Sequence, residues 1–356
     1  MIFTELLYNQ LYTWFEHNKR VLPWRETEDA YLIWVSEIIL QQTRVEQGLP
    51  YFMRFVERFP TLLSLAQAKE DEVLRYWQGL GYYSRARNMY KAAKLLVDNG
   101  ITSFPHTFDD IRALPGIGDY TAGAIAAFAY NQPYPALDGN VYRVLARLTD
   151  CEMPFDTSAG KRHFHQVANE LLDRNNPRLF DSALMEFGAL FCVPTSPDCA
   201  VCPLQTWCQA YSHNTVSLLP VRKPRPKSRD RYFNYTIYLT PDKQTILHQR
   251  QEKDIWHHLW EFPLVESDRL LPANDAPYCD FTHQLSHQRI HARFVLRLVQ
   301  SLSQADNTPQ NSISSPTTTQ ILSLSDPAST LIVSLSDLDN YALSRLTLRA
   351  LDHFHL

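Results

Sequence analysis

Four cysteines crowd into one short stretch of the chain. Six, two and five residues separate them in the order Cys192, Cys199, Cys202 and Cys208. Four thiolates this close in sequence can converge on one tetrahedral centre, which indicates a metal site. Both zinc and iron–sulfur clusters accept four cysteine ligands, so the spacing alone leaves the two open.

Two acidic residues have surroundings that suit acid–base chemistry. Glu37 lies in the segment 34–43, where apolar residues flank it, and such surroundings raise the pKa of a carboxyl group toward neutrality. Asp138 follows Ala136-Leu137. A pair of carboxylates with different pKa values is what the cleavage of a glycosidic bond requires. By position alone, an ordinary exposed helix acid is the favoured interpretation of Glu37, and a turn or N-cap aspartate that of Asp138.

A glycine-rich turn precedes Asp138 by about twenty residues. Leu114 to Gly118 has glycines at 116 and 118, which permit a tight turn whose backbone N–H groups can face an anion. A helix is predicted to start near Asp119, so its positive end points to the same place. Proteins hold DNA phosphates in this way without reading sequence. A plain helix–helix turn is the alternative.

Residues 78–88 combine glycines, apolar side chains and arginines. Leu80 and Tyr82 are suited to insert between DNA bases, and Arg85 and Arg87 to contact phosphates. Packing of the apolar side chains in the protein core is the alternative.

The elements that must position these residues fall into two classes. Residues 1 to about 212 are predicted to be helical, from helical spacing of apolar residues over 30–40, 62–77, 86–97, 120–130, 140–148 and 161–173. A linker with prolines and cations follows at 213–231. Alternating strand patterns cover 231–239 and 292–299, a loop or disordered segment is predicted for 301–330, and a helix for 337–353. An all-α domain followed by an α+β domain is therefore expected.

Composition limits the class of protein. The chain has 356 residues, 45% of them hydrophobic, and a net charge of −4, so about two domains are expected and any DNA-binding charge must be local. No signal peptide and no apolar run of about 20 residues is found, which predicts a cytoplasmic protein with reduced cysteines. Cys151 and Cys279, remote from the cysteine cluster, are predicted to be ordinary core residues.

Taken together, these motifs resemble a known family over nearly the whole chain. The pairing of Leu114–Gly118 with 136–141 is similar to the helix–hairpin–helix of the endonuclease III superfamily of DNA glycosylases. The segments 22–25, 34–43 and 80–88 and the six-two-five cysteine spacing resemble the MutY family. Residues 259–263 resemble its MutT/Nudix-like C-terminal domain.

The resemblance implies a domain plan. It predicts a helical glycosylase domain at 1–212, with a six-helix barrel module at about 26–132 and an iron–sulfur module at 1–25 plus 133–212. The linker at 213–231 and a MutT-like lesion-recognition domain at 232–356 follow. Since no acidic Nudix helix is found in the sequence, nucleotide hydrolysis is not expected.

The resemblance also implies a reaction. It predicts a monofunctional base excision repair glycosylase that removes adenine mispaired with 8-oxoguanine or guanine. Glu37 protonates adenine, and Asp138 stabilises or traps the sugar cation with support from Tyr120. Bifunctional relatives carry a lysine where Tyr120 stands. Tyrosine cannot form an imine, so base release without strand scission is expected.

The remaining implied sites concern DNA and the cofactor. The four cysteines are expected to hold a 4Fe-4S cluster, and Leu285, Ser286 and His287 to probe 8-oxoguanine, although relatives carry Phe at 285. A histidine-rich surface loop is the alternative for that last segment. Relatives also carry Gln or Glu where Ser182 stands. Double-stranded DNA is the expected partner of a monomeric, nucleoid-associated bacterial protein. The predicted DNA contacts are Arg25, Gln42, Thr43, Leu80, Tyr82, Arg85, Arg87, Gly116, Gly118 and Asn140.

Overall fold

The computed structural model describes residues 2–224, 228–302 and 329–356. They form two compact units: Met1–Ala66 with Lys91–Arg225, and Gln67–Tyr90 with Pro226–Leu356. None of the helices described is long and apolar enough to cross a membrane. The predicted boundaries at 212 and 232 stay predictions, since the grouping by contacts also assigns residues 67–90 to the second unit.

Twelve helices precede the first strand in the part of the chain described. They are α1 Ile2–Asn18, α2 Ala30–Leu40, α3 Val45–Arg58, α4 Leu62–Gln67, α5 Glu70–Tyr76, α6 Ser84–Asp98, α7 Phe108–Arg112, α8 Asp119–Tyr130, α9 Gly139–Leu148, α10 Ser158–Leu171, α11 Pro177–Leu190 and α12 Gln209–Ser212. The helical prediction is confirmed. The segment 62–77 differs in forming two short helices, because Lys69 takes an extended conformation between them.

Side-chain caps fix where the functional helices begin. Asp29 accepts a hydrogen bond from the backbone N–H of Tyr31 at 2.8 Å, which starts α2. Asp138 caps α9 in the same way. Each cap satisfies backbone donors that have no partner inside the helix. Helix α2, which carries Glu37, therefore begins at Asp29, and α9 begins at Asp138, which is itself a candidate acid.

The core of the first unit joins α1, α9, α10 and α11. Its fully buried side chains include Leu11, Leu145, Phe164, Phe180 and Phe187. Helix α2 is buried on nearly all of its faces. A helix that is apolar all round belongs in an interior, so the buried Glu37 on this helix stands out as a polar exception.

The second unit is built on two sheets. Strands β1 Arg229–Leu239, β2 Gln244–Gln249, β3 Trp260–Glu261, β4 Leu264–Ser267, β5 Tyr278–Gln284, β6 Gln288–Leu298 and β7 Thr330–Ser334 are followed by helix α13 Arg345–Phe354. One sheet has the order β4-β1-β6-β5 and the other β3-β2-β7. Strands β1 and β6 pair in parallel, whereas β5 and β6 form an antiparallel hairpin.

The predicted second domain is confirmed as an α+β fold. Both predicted strands and the C-terminal helix are present as β1, β6 and α13. Strand β1 starts at Arg229, inside the segment predicted as linker. Of the loop predicted at 301–330, residues 303–328 lie outside the described residues.

Candidate catalytic site

A cavity of about 860 Å³ opens in the first unit. Helices α2, α8, α9 and α11 and the turn before α2 contribute to its walls. Both candidate acids line it. The lining includes Arg25, Glu37, Gln42, Thr43, Tyr120, Asp138, Asn140, Ser182 and Glu186. Seven residues that the sequence analysis assigned to catalysis or DNA contact thus share one cavity.

Glu37 is the buried acid of this cavity. It lies in the middle of α2 and is 9% exposed. Burial raises its pKa to about 7, a hydrogen bond from Tyr120 lowers it, the charge of Asp138 raises it and Arg25 lowers it. A carboxyl group with this pKa is half-protonated near neutrality and can donate a proton there.

Tyr120 connects the hairpin to Glu37. It is the second residue of α8, and its hydroxyl donates to Glu37 Oε2 at 3.2 Å. Burial first, and then the charges of Glu37 and Asp138, raise the pKa of Tyr120 well above its ordinary value. The phenol therefore remains a hydrogen-bond donor between the two acids.

Asp138 combines two roles that the sequence left as alternatives. It is the N-cap of α9, and its Oδ1 accepts from the backbone N–H groups of Asn140 at 2.8 Å and Val141 at 2.7 Å. The side-chain amide of Asn140 donates to Oδ2 at 2.8 Å. The pKa of Asp138 is raised above its ordinary value by burial, and these three hydrogen bonds and Arg143 limit that increase. The helix N-terminus and three donors thus favour the carboxylate form.

Glu186 holds two arginines at the edge of the cavity, a role that the sequence analysis did not assign. Glu186 is fully buried, and its Oε2 accepts from Arg25 and Arg20 at 2.8 Å each. These hydrogen bonds outweigh burial and lower its pKa to about 2. In sequence, Glu186 is one more acid on a helix. Nothing distinguishes it there, because its partners lie about 160 residues away.

Arg25 is presented to the cavity by Glu186. Its Nη1 is buried with no hydrogen-bond partner among the described residues. The same guanidinium lowers the pKa of Glu37. A donor left unsatisfied in a buried position suits an acceptor atom of a bound ligand.

Gln42 and Thr43 also line the cavity, directly after α2. Gln42 has φ of 55°, in the left-handed region that non-glycine residues seldom adopt. Such a conformation is uncommon outside turns and functional sites. Ser182 lines the cavity from α11.

The hairpin lies between α7 and α8. Gly116 has φ of 78°, a conformation in which a side chain is strained, so the turn requires glycine there. Gly118 is the N-cap of α8, and an added Cβ would meet open space. The unobstructed start of α8 is the arrangement that binds phosphate in other proteins.

The predicted wedge segment belongs to the second unit. Leu80 is 7% exposed, which agrees with the alternative of packing in the protein core, whereas Tyr82 is 46% exposed. Arg85 donates to the carbonyl of Gly81 at 3.2 Å, and Arg87 to the carbonyl of His257 at 2.6 Å. Both arginines are thus engaged within the protein in this structure.

The predicted lesion-recognition residues form the tip of the β5–β6 hairpin. Leu285 is half-buried and packs against the core of the second unit. Ser286 and His287 are exposed. The hydroxyl groups of Ser286 and Tyr82 form a hydrogen bond, so the hairpin tip and the predicted wedge segment are in contact within this unit.

The four cysteines of the predicted cluster are all thiols in one loop region. The pKa of Cys202 is raised to about 12 by burial, opposed by the backbone N–H of Leu204 and reinforced by the other three thiols. Nevertheless, no group of three or more His, Cys, Asp or Glu side chains among the described residues is arranged to hold a metal ion.

Arg147 anchors the cysteine loop. It is 2% exposed, and it donates to Cys192 Sγ at 3.3 Å and to the carbonyls of Val193 at 2.8 Å and Pro194 at 3.0 Å. The buried guanidinium beside Cys192 Sγ places positive charge where thiolates, if formed, would require it. Neither Arg147 nor its role was predicted, since an arginine inside an amphipathic helix normally faces solvent.

Family models match both parts of the chain. The HhH-GPD superfamily of base excision DNA repair proteins matches residues 35–169, and the NUDIX domain matches residues 234–353.

Named relatives agree. The adenine DNA glycosylase of Buchnera aphidicola subsp. Baizongia pistaciae (strain Bp) is 32% identical over 317 residues, which cover 84% of this chain and 88% of that protein. The adenine DNA glycosylase of Arabidopsis thaliana is 36% identical over 294 residues, covering 72% and 46% respectively.

Solved structures share the fold of the helical part. A thermostable thymine-DNA glycosylase has a TM-score of 0.53 at 23% identity, covering 59% of this chain and 97% of that chain. A non-covalent endonuclease III–DNA complex has a TM-score of 0.51 at 22% identity, covering 58% and 94%. The Buchnera relative, matched over 88% of its length, and the two domain matches together show that the chain belongs to the MutY family of adenine DNA glycosylases and is a DNA glycosylase of base excision repair.

Proposed function

We propose that the protein hydrolyses the N-glycosidic bond of adenine mispaired with 8-oxoguanine or guanine. The observation that carries the proposal is the buried Glu37, with a pKa of about 7, in the same cavity as the hydrogen-bonded Asp138. Adenine leaves poorly as an anion, so a proton on its ring is needed before the bond breaks.

Glu37 supplies that proton as general acid. The C–N bond electrons then move to the adenine ring, which departs neutral, and the sugar is left as an oxocarbenium-like cation. Asp138 stabilises or traps the cation with its carboxylate, and water completes the hydrolysis. Tyr120 supports both acids, because its hydroxyl bonds Glu37 and its ring lies within reach of the charge of Asp138.

Release of the base ends the reaction. The side chain at 120 is a phenol, which has no amine to attack the sugar as an imine-forming nucleophile. A monofunctional glycosylase follows from this side chain.

The test is a duplex assay with adenine opposite 8-oxoguanine, guanine or thymine. Strand breaks are measured with and without hot alkali. We expect breaks with the first two partners, and only after alkali. Breaks without alkali would overturn the monofunctional assignment, and equal turnover opposite thymine would overturn the mispair specificity.

We propose that the four cysteines hold a 4Fe-4S cluster. Support comes from the occurrence of the four cysteines as free thiols in one loop region and from the guanidinium of Arg147 at Cys192. Thiolates are the ligands that iron–sulfur clusters use, and a cluster tied to this loop would be structural.

Protein purified without oxygen tests the cluster. We expect about four iron and four sulfide per chain and a broad visible absorption that Cys202→Ser abolishes. Cys151→Ser is the matched control, because Cys151 lies outside the cysteine loop. Stoichiometric zinc without sulfide would overturn the assignment.

The DNA contacts are proposed in the same way. Arg25, Gln42, Thr43 and Asn140 are placed around the extruded adenine because they line the cavity. Gly116 and Gly118 are proposed to hold a phosphate through the start of α8. Tyr82 is the proposed wedge, being exposed, while Leu80, Arg85 and Arg87 are proposed to engage DNA after their present contacts change.

A further inference from the structure

One more buried acid lies outside the lining of the cavity. Asp181, on α11, is 1% exposed. The backbone N–H of Ala136 donates to its carboxyl group. Its Oδ2 has no hydrogen-bond partner among the described residues. An unpartnered polar atom of this kind in a native interior calls for an explanation.

No cation among the described residues contributes to the pKa of Asp181. Burial raises its pKa to about 8, and only the Ala136 hydrogen bond opposes this. Among the described residues, a charge on Asp181 raises the pKa of two tyrosines, Tyr120 on α8 and Tyr12 on α1. A buried carboxylate without a counter-charge is strongly disfavoured, so the group keeps its proton at neutral pH.

Asp181 contacts the segment that carries Asp138. Ala136, its donor, lies two residues before that cap. A negative charge on Asp181 would also raise the pKa of Tyr120, the residue that donates a hydrogen bond to Glu37. A negative charge at 181 would make Glu37 a weaker acid, whereas a neutral carboxyl group leaves its acidity unchanged.

We propose that Asp181 is a positioning residue of the reaction, a protonated acid that holds the Ala136–Asp138 segment in register with Tyr120 and adds no negative charge near the two catalytic acids. The proposal rests on the role given to Asp138 above. It adds a residue that does not touch the reacting atoms and acts through Ala136 and Tyr120.

The first test separates shape from charge. Asp181→Ala removes the acceptor of the Ala136 N–H. We expect the single-turnover rate on adenine opposite 8-oxoguanine to fall about tenfold or more, because small displacements of a catalytic group are costly, with duplex affinity unchanged. Asp181→Asn keeps a neutral acceptor of the same shape, so it should recover most of the lost rate.

The second test measures the protonation state by thermal unfolding. The carboxyl group ionises near 3.8 when unfolded but near 8 when folded. Between these pH values the folded state binds the extra proton, so this group costs stability as pH rises. Asp181→Asn removes that cost. Its Tm should exceed that of the wild type, and by more at about pH 8 than at about pH 5.

Asp173→Asn is the matched control. Asp173 is also buried, at 7% exposure, but it accepts from the hydroxyl of Tyr12 at 2.8 Å. Although burial raises its pKa, the hydrogen bonds from Tyr12 and Asn176 outweigh it and lower the pKa. Its ionised form stabilises the fold above the unfolded pKa, so the same substitution should lower Tm at neutral pH.

Three results would overturn the inference. They are an Asp181→Ala enzyme as fast as the wild type, an Asp181→Asn enzyme as slow as Asp181→Ala, and a Tm that falls in Asp181→Asn as in Asp173→Asn. If the wild type itself released no adenine, the proposed function would fail instead. The unfolding series would still decide the charge of Asp181.

Discussion

The two candidate acids of this site differ in the number of hydrogen bonds that their carboxyl groups accept. Glu37 is buried with one tyrosine hydroxyl as donor, whereas Asp138 accepts three hydrogen bonds at a helix N-terminus. The pKa of each group is raised by burial, but hydrogen bonds oppose that shift more extensively at Asp138. This difference is what the proposed proton donor and the proposed anion require.

Glu37→Gln tests the proton donor. The amide keeps the shape of the side chain but cannot donate an acid proton, so the rate of adenine release should fall by about 10²–10⁴-fold, the usual contribution of a general acid. Mispair affinity should stay within a few-fold. Single-turnover assays and duplex titrations measure the two. Glu57→Gln, on the exposed face of α3, is the control, and a full rate in Glu37→Gln would remove the proposed mechanism.

The pH dependence follows from the same residue. Because Glu37 must be protonated to act, adenine release should decline as pH rises through about 7. Its folded pKa exceeds the ordinary value of 4.5, so this group also costs stability progressively between these two pH values. Single-turnover rates from about pH 5 to 9 measure the first effect. A rate that increases steadily above pH 7 would contradict it.

Glu186→Gln tests the support of Arg25. Losing the charge leaves Arg20 and Arg25 without their shared buried partner, which should destabilise the fold by about 3 kcal/mol. Arg25 would then act on Glu37 uncompensated and lower its pKa. We expect the alkaline limb of the pH–rate profile to move to lower pH. Glu46→Gln, an exposed partner of Arg20, should leave the profile in place; an unmoved profile in Glu186→Gln would contradict the assignment.

At the scale of elements, the site depends on how closely α9 and α11 approach. A Cβ added to Gly188 on α11 would lie 2.8 Å from Asn140 Cβ and 2.9 Å from the Asn140 carbonyl oxygen. Asn140 in turn donates to Asp138. Glycine at 188 thus sets the position of the α9 N-terminus.

Gly188→Ala should therefore affect both stability and rate. Overpacking of this kind costs about 1–3 kcal/mol, and displacement of Asn140 should slow adenine release about tenfold. Thermal unfolding and single-turnover kinetics measure the two. Gly123→Ala on α8 is the control, because its Cβ would meet Pro135 O at an ordinary 3.5 Å. Loss of stability with an unchanged rate would separate Asn140 from the reaction.

Element prediction from the sequence succeeded where local physics decides. Apolar periodicity predicted α8 and α9 to within one or two residues, since caps at Gly118 and Asp138 start both helices. Burial all round is not encoded in such a pattern. The environment of Glu37 was anticipated from its apolar neighbours, but Glu186, Asp181 and Arg147 were missed because their partners are remote in sequence.

At the scale of the whole molecule, base removal is proposed for one unit and lesion recognition is predicted for the other. The proposed chemistry belongs to the first, and the hairpin tip with Ser286 and His287 to the second. Resemblance to a family, rather than any residue pattern, predicted that division. The motif at 285–287 has only three residues, and the strand patterns on either side of it are compatible with many hairpin loops.

The double variant Ser286→Ala/His287→Ala tests that division. We expect the preference for 8-oxoguanine over guanine opposite adenine to fall about tenfold, the effect of losing roughly one good hydrogen bond. The rate on adenine opposite guanine should stay close to that of the wild type. Asp242→Ala, in the exposed β1–β2 turn, is the control. An undiminished preference would place lesion recognition elsewhere.

The position of Asp138 at the start of α9 has a consequence for interpreting related sequences. A cap residue is retained by selection for stability even after activity has been lost, so an aspartate at this place is a poor marker of a working enzyme. Glu37 is the opposite case, because its burial destabilises the fold at neutral pH and only the proposed catalytic role would favour keeping it. In relatives that have lost the repair activity, the glutamate should be substituted before the aspartate.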